Sequence, residues 1–155
     1  MTDKKIEVGD VAPDFTLKDQ NEREVTLSSF RGKKVVLSFH PLAWTGVCTT
    51  QMQDLEKHKA DFDRLGAVAL GLSVDSVPCK KAWAENIGVK ETPLLADFWP
   101  HGGVAQAYGV FREEHGSSKR AVLIVDGEGI VRFKKIYPIK EVPDMEEILK
   151  ALESF

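Results

Sequence analysis

The sequence predicts an α/β fold with a central mixed sheet, parallel at its centre and flanked by helices. Three observations carry this. The short runs Lys34–Phe39 and Ala67–Val74 are apolar and rich in β-branched residues, as strands covered on both faces are. Each is followed by a segment of helical periodicity, the alternation that gives parallel strands joined by right-handed crossovers. Gly127-Glu128-Gly129 then separates the runs Arg120–Asp126 and Ile130–Lys135, as a hairpin turn would.

Taken in order, Asp14–Lys18 and Glu24–Leu27 alternate in polarity around Asp19-Gln20-Asn21-Glu22, which predicts two strands about a polar turn. Ser28–Gly32 breaks that pattern before the Lys34 strand. From Cys48 to about Leu65, Met52, Leu55, Phe62 and Leu65 recur at intervals of three and seven, so a helix with one oily face is expected, ended by Gly66. Asp75-Ser76-Val77-Pro78 supplies capping side chains and a helix-starting proline. Ala82, Trp83 and Ile87 give that second helix its apolar side, and Gly88 ends it. Leu94–Ala96 reads as a short strand, Val104–Tyr108 as a short helix and Pro143–Leu152 as a final helix, with Asp144 and Glu147 spaced like a capping box. The order fits a thioredoxin-like sandwich. No repeat or low-complexity tract divides the 155 residues, and one domain over residues 1–155 is expected.

A net charge of −3 gives no electrostatic reason to bind nucleic acid or an anionic membrane. Lys33-Lys34 and Lys134-Lys135 read as solvated strand ends. Met1–Lys5 lacks the apolar core of a signal peptide, and no apolar run approaches the ~18 residues of a membrane span. A cytoplasmic location follows as an expectation. In that reducing compartment the two cysteines are more plausibly catalytic than a structural staple.

Chemistry concentrates at Pro41-Leu42-Ala43-Trp44-Thr45-Gly46-Val47-Cys48. Proline closes the Lys34 strand and Thr45 is a good N-cap, its hydroxyl able to accept from the N–H of Cys48 three places on. Cys48 then lies in the first helical turn. Free N–H groups and the positive end of the helix dipole favour an anion there, which is how reactive thiols are built.

These residues resemble a family. Pro41, Thr45 and Cys48 satisfy Pro-x-x-x-Thr-x-x-Cys, similar to the signature of the peroxiredoxins, the alkyl hydroperoxide reductase and thiol-specific antioxidant family. Ala12-Pro13-Asp14-Phe15, Ser73-Val74-Asp75-Ser76, Ala82-Trp83, Pro93-Leu94-Leu95-Ala96-Asp97 and Arg120 agree, so the likeness spans nearly the whole chain. Pro41–Gly46 and Asp97–Gly102 most resemble the one-cysteine alkyl hydroperoxide reductase E branch. The resemblance implies a thiol-dependent peroxidase without a cofactor, acting on hydrogen peroxide and alkyl hydroperoxides through a Cys48 sulfenic acid, and a homodimer. Thr45 would orient sulfur or peroxide, Pro41 would shield the thiolate, and Arg120 would point its guanidinium at the sulfur and the peroxide oxygens. On composition alone Arg120 is a charged strand start with a surface ion pair.

The oxidised cysteine must be reset by a thiol. Cys79, 31 positions on, is the internal candidate; otherwise it is a half-buried helix residue and a small thiol or a thioredoxin-type partner does the work. If the two strands are parallel neighbours, both cysteines lie at one sheet edge, ~4.8 Å apart per strand step. Their helices could still cover opposite faces, beyond the ~7 Å Cα limit of a disulfide, so bridging would require the first turns to unwind. Two positions depart from the family pattern. His40 stands where many relatives carry an aromatic residue, and Gln51 where many carry glutamate. His40 either tunes Cys48 or is simply packed. Phe98, Trp99 and Trp44 either crowd the rim as a partner surface or pack in the core.

Other chemistries fit poorly. Gly71-Leu72-Ser73-Val74-Asp75 lacks the second glycine of a nucleophile elbow. Gly127-Glu128-Gly129 lacks the third glycine of a dinucleotide fingerprint. His40, His58, His101 and His115 have no zinc-ligand spacing. A thiol–disulfide exchanger remains a rival, although Thr45 occupies the place of the first cysteine in Cys-x-x-Cys. A non-enzymatic redox sensor is the second.

Overall fold

A computed structural model describes residues 5–155. Strands β1 (Thr16–Lys18) and β2 (Glu24–Thr26) form an antiparallel hairpin, followed by a 3₁₀ turn at Leu27–Phe30 and the central strand β3 (Lys34–Phe39). The expected Cys48 helix is two: α1 (Gly46–Lys57) and α2 (Lys59–Arg64), broken at His58. There His58 Nδ1 pairs with Asp61 Oδ2 at 2.9 Å, a local bond that competes with a continuous helix. Strand β4 (Ala67–Ser73), helix α3 (Val77–Ile87), strand β5 (Leu94–Ala96) and helix α4 (Gly103–Ala107) follow. The two-residue strands β6 (Phe111–Arg112) and β7 (Ser117–Ser118), not foreseen, pair with each other. Strands β8 (Arg120–Val125) and β9 (Val131–Tyr137) make the expected hairpin, and α5 (Met145–Glu153) closes the chain.

The main sheet has the order β5-β4-β3-β8-β9, with β3–β4 and β4–β5 parallel and the remaining pairs antiparallel. Both parallel steps run in the same direction across the sheet, so right-handed crossovers put α1 and α3 on one face. The packing agrees. Val36, Ala69, Val122 and Ile124 of the sheet share a buried cluster with Cys48, Met52 and Leu55 of α1, Trp83 and Ala84 of α3, and Ile148 and Leu152 of α5. The opposite face carries Leu37, Phe39, Leu72 and Leu123, covered by Tyr108, Leu27 and the β1–β2 hairpin. Gly71 is needed where α1 crosses β4, because a side chain there would collide with the Met52 sulfur.

Helix ends are set by side chains. Ser76 Oγ accepts from the Cys79 N–H, and Gly88 in the left-handed conformation ends α3. Asp144 accepts from the Glu146 and Glu147 N–H groups. The return half of the expected capping box is absent, since Glu147 turns instead to Lys135 and Tyr137. Two lysines expected to be solvated are tied down. Lys34 Nζ donates to the Leu152 carbonyl at 2.6 Å and Lys134 Nζ to the Ile6 carbonyl at 2.7 Å, pinning chain ends to the sheet.

Candidate active site

The carboxyl end of β3 leads through His40 and Pro41 into a loop that ends at Thr45, with Cys48 the third residue of α1. Pro41 is buried and Cys48 fully so, whereas Trp44 and Thr45 are exposed. Trp44 is left-handed, at φ 69°, a conformation that costs a non-glycine residue about 1–3 kcal/mol. Thr45 holds the cap position, but its hydroxyl does not accept from Cys48. It donates to the Leu42 carbonyl at 2.8 Å, closing the turn that Trp44 makes. The first N–H groups of α1 are therefore left without a side-chain acceptor and can serve a substrate oxygen.

Arg120, expected on composition to be a surface charge, is 2% exposed. It opens β8, the antiparallel neighbour of β3, whose Ala121 lies opposite Phe39. Its guanidinium is divided among three acceptors. Nη1 donates to Cys48 Sγ at 3.2 Å and to Gln51 Oε1 at 2.7 Å, while Nε and Nη2 donate to the Ile139 carbonyl at 3.0 and 2.7 Å. Gln51, one turn after Cys48, is fixed in turn, its amide donating to Ser38 Oγ at 2.7 Å and the Phe39 carbonyl at 3.1 Å. Among the described residues no carboxylate pairs with Arg120. The Cys48 sulfur and the Gln51 amide oxygen are thus the side-chain atoms that face its positive charge.

Behind this pair lies a second set, partly buried at Asp75 and Cys79 and fully buried at His40 and Lys80. Asp75 spans the two cysteine-bearing segments: Oδ2 accepts from the Ala43 N–H at 2.8 Å and the Ser73 hydroxyl at 2.6 Å, and Oδ1 accepts from Cys79 Sγ at 3.7 Å. Burial, then the Asp75 charge, push the Cys79 thiol up from its ordinary 9.0. His40 is fully buried, its ring 5.3 Å from that of Trp83. Burial first, then the Lys80 charge, hold its imidazole well below 6.5, so it is neutral. Lys80 is buried completely, with Nζ 3.3 Å from His40 Nε2. Both cysteines are free thiols. Each sulfur has its own partner, Arg120 for Cys48 and Asp75 for Cys79. Their helices share one face of the sheet rather than lying on opposite faces. Among the described residues no three of histidine, cysteine, aspartate and glutamate converge as metal ligands would.

Residues 8–134 match the AhpC/TSA family. The chain belongs to that family. It is 47% identical over 140 residues to alkyl hydroperoxide reductase E of Mycobacterium tuberculosis, covering 90% of this chain and 91% of that protein. It is 34% identical to peroxiredoxin-2 of Mus musculus, covering all of this chain and 82% of the relative. Among solved structures, the reduced 2-Cys peroxiredoxin of Plasmodium vivax superposes with a TM-score of 0.86 at 29% identity, over 95% of this chain and 80% of that one.

The thioredoxin-like architecture expected from the order of elements is the one these peroxiredoxin neighbours share. The structure brings Cys48 and Arg120 into contact, puts Pro41 and Thr45 in the loop that precedes Cys48, and places Cys79 in the first turn of α3 with Asp75 as its partner. Sequence reasoning missed Lys80 and the bridging part of Asp75, and left Gln51 without a role. A signal existed for two of them. Gln51 falls between Cys48, Met52 and Leu55, and Lys80 stands with Trp83, Ala84 and Ile87, each at the three-and-four spacing of an inward helix stripe. Ala82, expected on the apolar side of α3, is exposed. Phe98, Trp99 and Trp44 are exposed as well, by 52%, 81% and 52%, which rules out core packing for them.

Proposed function

We propose that Cys48 reduces hydrogen peroxide and alkyl hydroperoxides to water or an alcohol. As an AhpC/TSA protein related to named peroxiredoxins, the chain is a thiol-dependent peroxidase. The observation that carries the assignment of roles is the 3.2 Å contact between Arg120 Nη1 and Cys48 Sγ. In the reaction the sulfur forms a bond to the terminal peroxide oxygen, the O–O bond breaks, and the leaving oxygen departs as alkoxide or hydroxide and takes a proton. The product on the protein is a sulfenic acid. Arg120 and the free N–H groups of the α1 first turn meet the charge that develops on the leaving oxygen. Pro41 keeps water from the sulfur, and Thr45 orients the incoming peroxide.

Cys79 then resolves the sulfenic acid. Its place at the start of the adjacent helix on the same face supports this reading, and Asp75 ties its turn to the Cys48 loop. A thioredoxin-type protein or a small thiol opens the resulting disulfide. The exposed Leu42, Trp44, Phe98 and Trp99 support a homodimer built on that rim. The five-stranded sheet, with a buried cluster on each face, supports one domain for the chain. No helix among the described residues is long and apolar enough to cross a membrane.

The test is peroxide consumption with dithiothreitol as reductant, followed by intact mass after one equivalent of hydrogen peroxide. Wild type is expected to turn over and Cys48→Ser to lose turnover entirely. Loss of two hydrogens marks the internal bridge; gain of one oxygen in Cys79→Ser marks the trapped sulfenic acid. Turnover by Cys48→Ser at the parent rate would overturn the assignment. Stoichiometric oxidation without turnover would leave a redox sensor.

A further inference from the structure

Lys80 makes no hydrogen bond to Cys48, yet its amine is fully buried with little to satisfy it. A buried ammonium has three N–H donors to satisfy. Here it has one hydrogen bond, to His40 Nε2 at 3.3 Å, and the Trp83 ring face 5.9 Å away. The partner is itself incompletely paired, because His40 Nδ1 is buried with no hydrogen-bond partner. An amine so enclosed is costly when charged. It also sits beside Cys79 in the first turn of α3, Val77–Lys80. Unwinding of that turn would free Cys79 from Asp75 and return the buried Lys80 amine to water.

We propose that Lys80 is a positioning residue for the resolving step: its buried amine biases the first turn of α3 toward the unwound state from which Cys79 reaches Cys48. This rests on the reading of Cys79 as the resolving thiol. In that step Cys79–SH and Cys48–SOH lose the elements of water and gain one S–S bond, so the sulfenic sulfur is reduced and the Cys79 sulfur is oxidised. Lys80 takes no part in the electron balance. It acts on how often the thiol is delivered.

The sign of the pH dependence follows from burial, which brings the amine from 10.5 down to about 7. Between those values the wound turn holds fewer protons than the unwound one, so falling pH favours unwinding, and the effect levels off below about 7. The groups facing Lys80 are His40 at the end of β3, Asp75 before α3, Cys79 on α3, Cys48 on α1 and Asp97 after β5. Arg120 of β8 acts on His40. In the wound turn His40 is neutral across pH 7–9, and burial and Asp75 hold the Cys79 thiol above its ordinary 9.0. The Lys80 amine is present in one protein and absent from its methionine variant, so the ratio of the two closure rates isolates its effect.

The experiment compares wild type with Lys80→Met. Each is oxidised with one equivalent of hydrogen peroxide, and sulfenic acid formation and loss of two hydrogens are followed by rapid quench and mass over pH 7–9.5. Sulfenic acid formation is expected to be equal in the two proteins. Bridge closure should be about tenfold or more slower in the variant at pH 7, the ratio shrinking as pH rises. Hydrogen exchange at residues 77–83 of the reduced wild type, corrected for intrinsic chemical exchange, should show opening that falls from pH 7 to about 8.5, below the ordinary 9.0 of the Cys79 thiol, and this readout stands even if the variant fails to fold. Equal closure rates and pH profiles in the two proteins, or pH-independent opening, would overturn the role of Lys80 and leave Cys79 in place. Failure of wild type to form any bridge would overturn Cys79 as resolving thiol, and Lys80 with it.

Discussion

Arg120 reaches the sulfur only because its guanidinium is a fork. One end is held by the Ile139 carbonyl and the other spans Cys48 and Gln51, a division that a single ammonium on a flexible stem cannot reproduce. Arg120→Lys should keep a positive charge but lose the geometry, slowing sulfenic acid formation by roughly 10²–10³-fold in stopped-flow fluorescence. A variant within threefold of wild type would mean that charge alone suffices. Asp75 makes the complementary case at Cys79. Its carboxylate raises that thiol, after burial itself, so Asp75→Asn should bring the thiol down and increase the thiolate fraction at pH 8. Iodoacetamide labelling of Cys79 in the reduced protein should then quicken by about three- to tenfold. The place of Cys48 at a strand-to-helix junction was legible from residue type and spacing, and its contact with Arg120 from the family likeness. The way Gln51 and Asp75 serve the site was not, because the partners of the Gln51 amide on β3 and β8 and of the Asp75 carboxylate at Ala43 are distant in sequence, which no local pattern encodes.

Helix α1 does more than carry Cys48. Near its end, Glu56 accepts from the backbone N–H groups of Lys90, Glu91 and Thr92 and from the Thr92 hydroxyl, holding the turn that leads from α3 into β5. Burial alone would raise the Glu56 carboxyl, but those hydrogen bonds outweigh it and the net shift is downward from 4.5. A lowered carboxyl contributes stability above its unfolded value and loses it as pH falls through the folded one. Glu56→Gln should therefore lower the urea midpoint at pH 7, with the gap to wild type closing as the solution is taken below about pH 4. An unchanged gap across that range would show that the charge is irrelevant to the clasp. At the other end of the chain, Asp144→Ala removes the acceptor for two N–H groups of α5 and should cost about 1 kcal/mol. Elements of this kind were readable where punctuation is strong, as at Ser76, Gly88 and Asp144. They were misread where the oily stripe ran on past a break. Phe62 and Leu65 continue the α1 spacing, yet His58 turns to Asp61 and divides the helix.

At the scale of the whole molecule, the sheet order decides what oxidation must do. Because β3, β4 and β5 step in one direction, α1 and α3 share a face, and Cys48 and Cys79 approach from neighbouring helices over one buried cluster. The sequence predicted parallel neighbours but left the faces open, since handedness fixes them only once the strand order is known. In the reduced fold each cysteine is anchored separately, Cys48 by Arg120 within α1 and Cys79 by Asp75 within α3. If the two sulfurs are joined as proposed, within the Cα separation of about 4.4–6.8 Å that a disulfide admits, we expect both anchors and the first turns that carry them to be released. Far-ultraviolet circular dichroism should then show a loss of about two helical turns on stoichiometric oxidation, recovered fully by dithiothreitol. Trypsin should cut the oxidised form faster at Lys80 and Lys81, where α3 has opened. Cys79→Ser, oxidised to the same extent, should retain its helical signal and its resistance, because a sulfenic acid asks for no such movement. An oxidised wild type with undiminished helix would mean that the two sulfurs are joined without unwinding, and the packing of Trp83 beneath α3 would then have to yield instead.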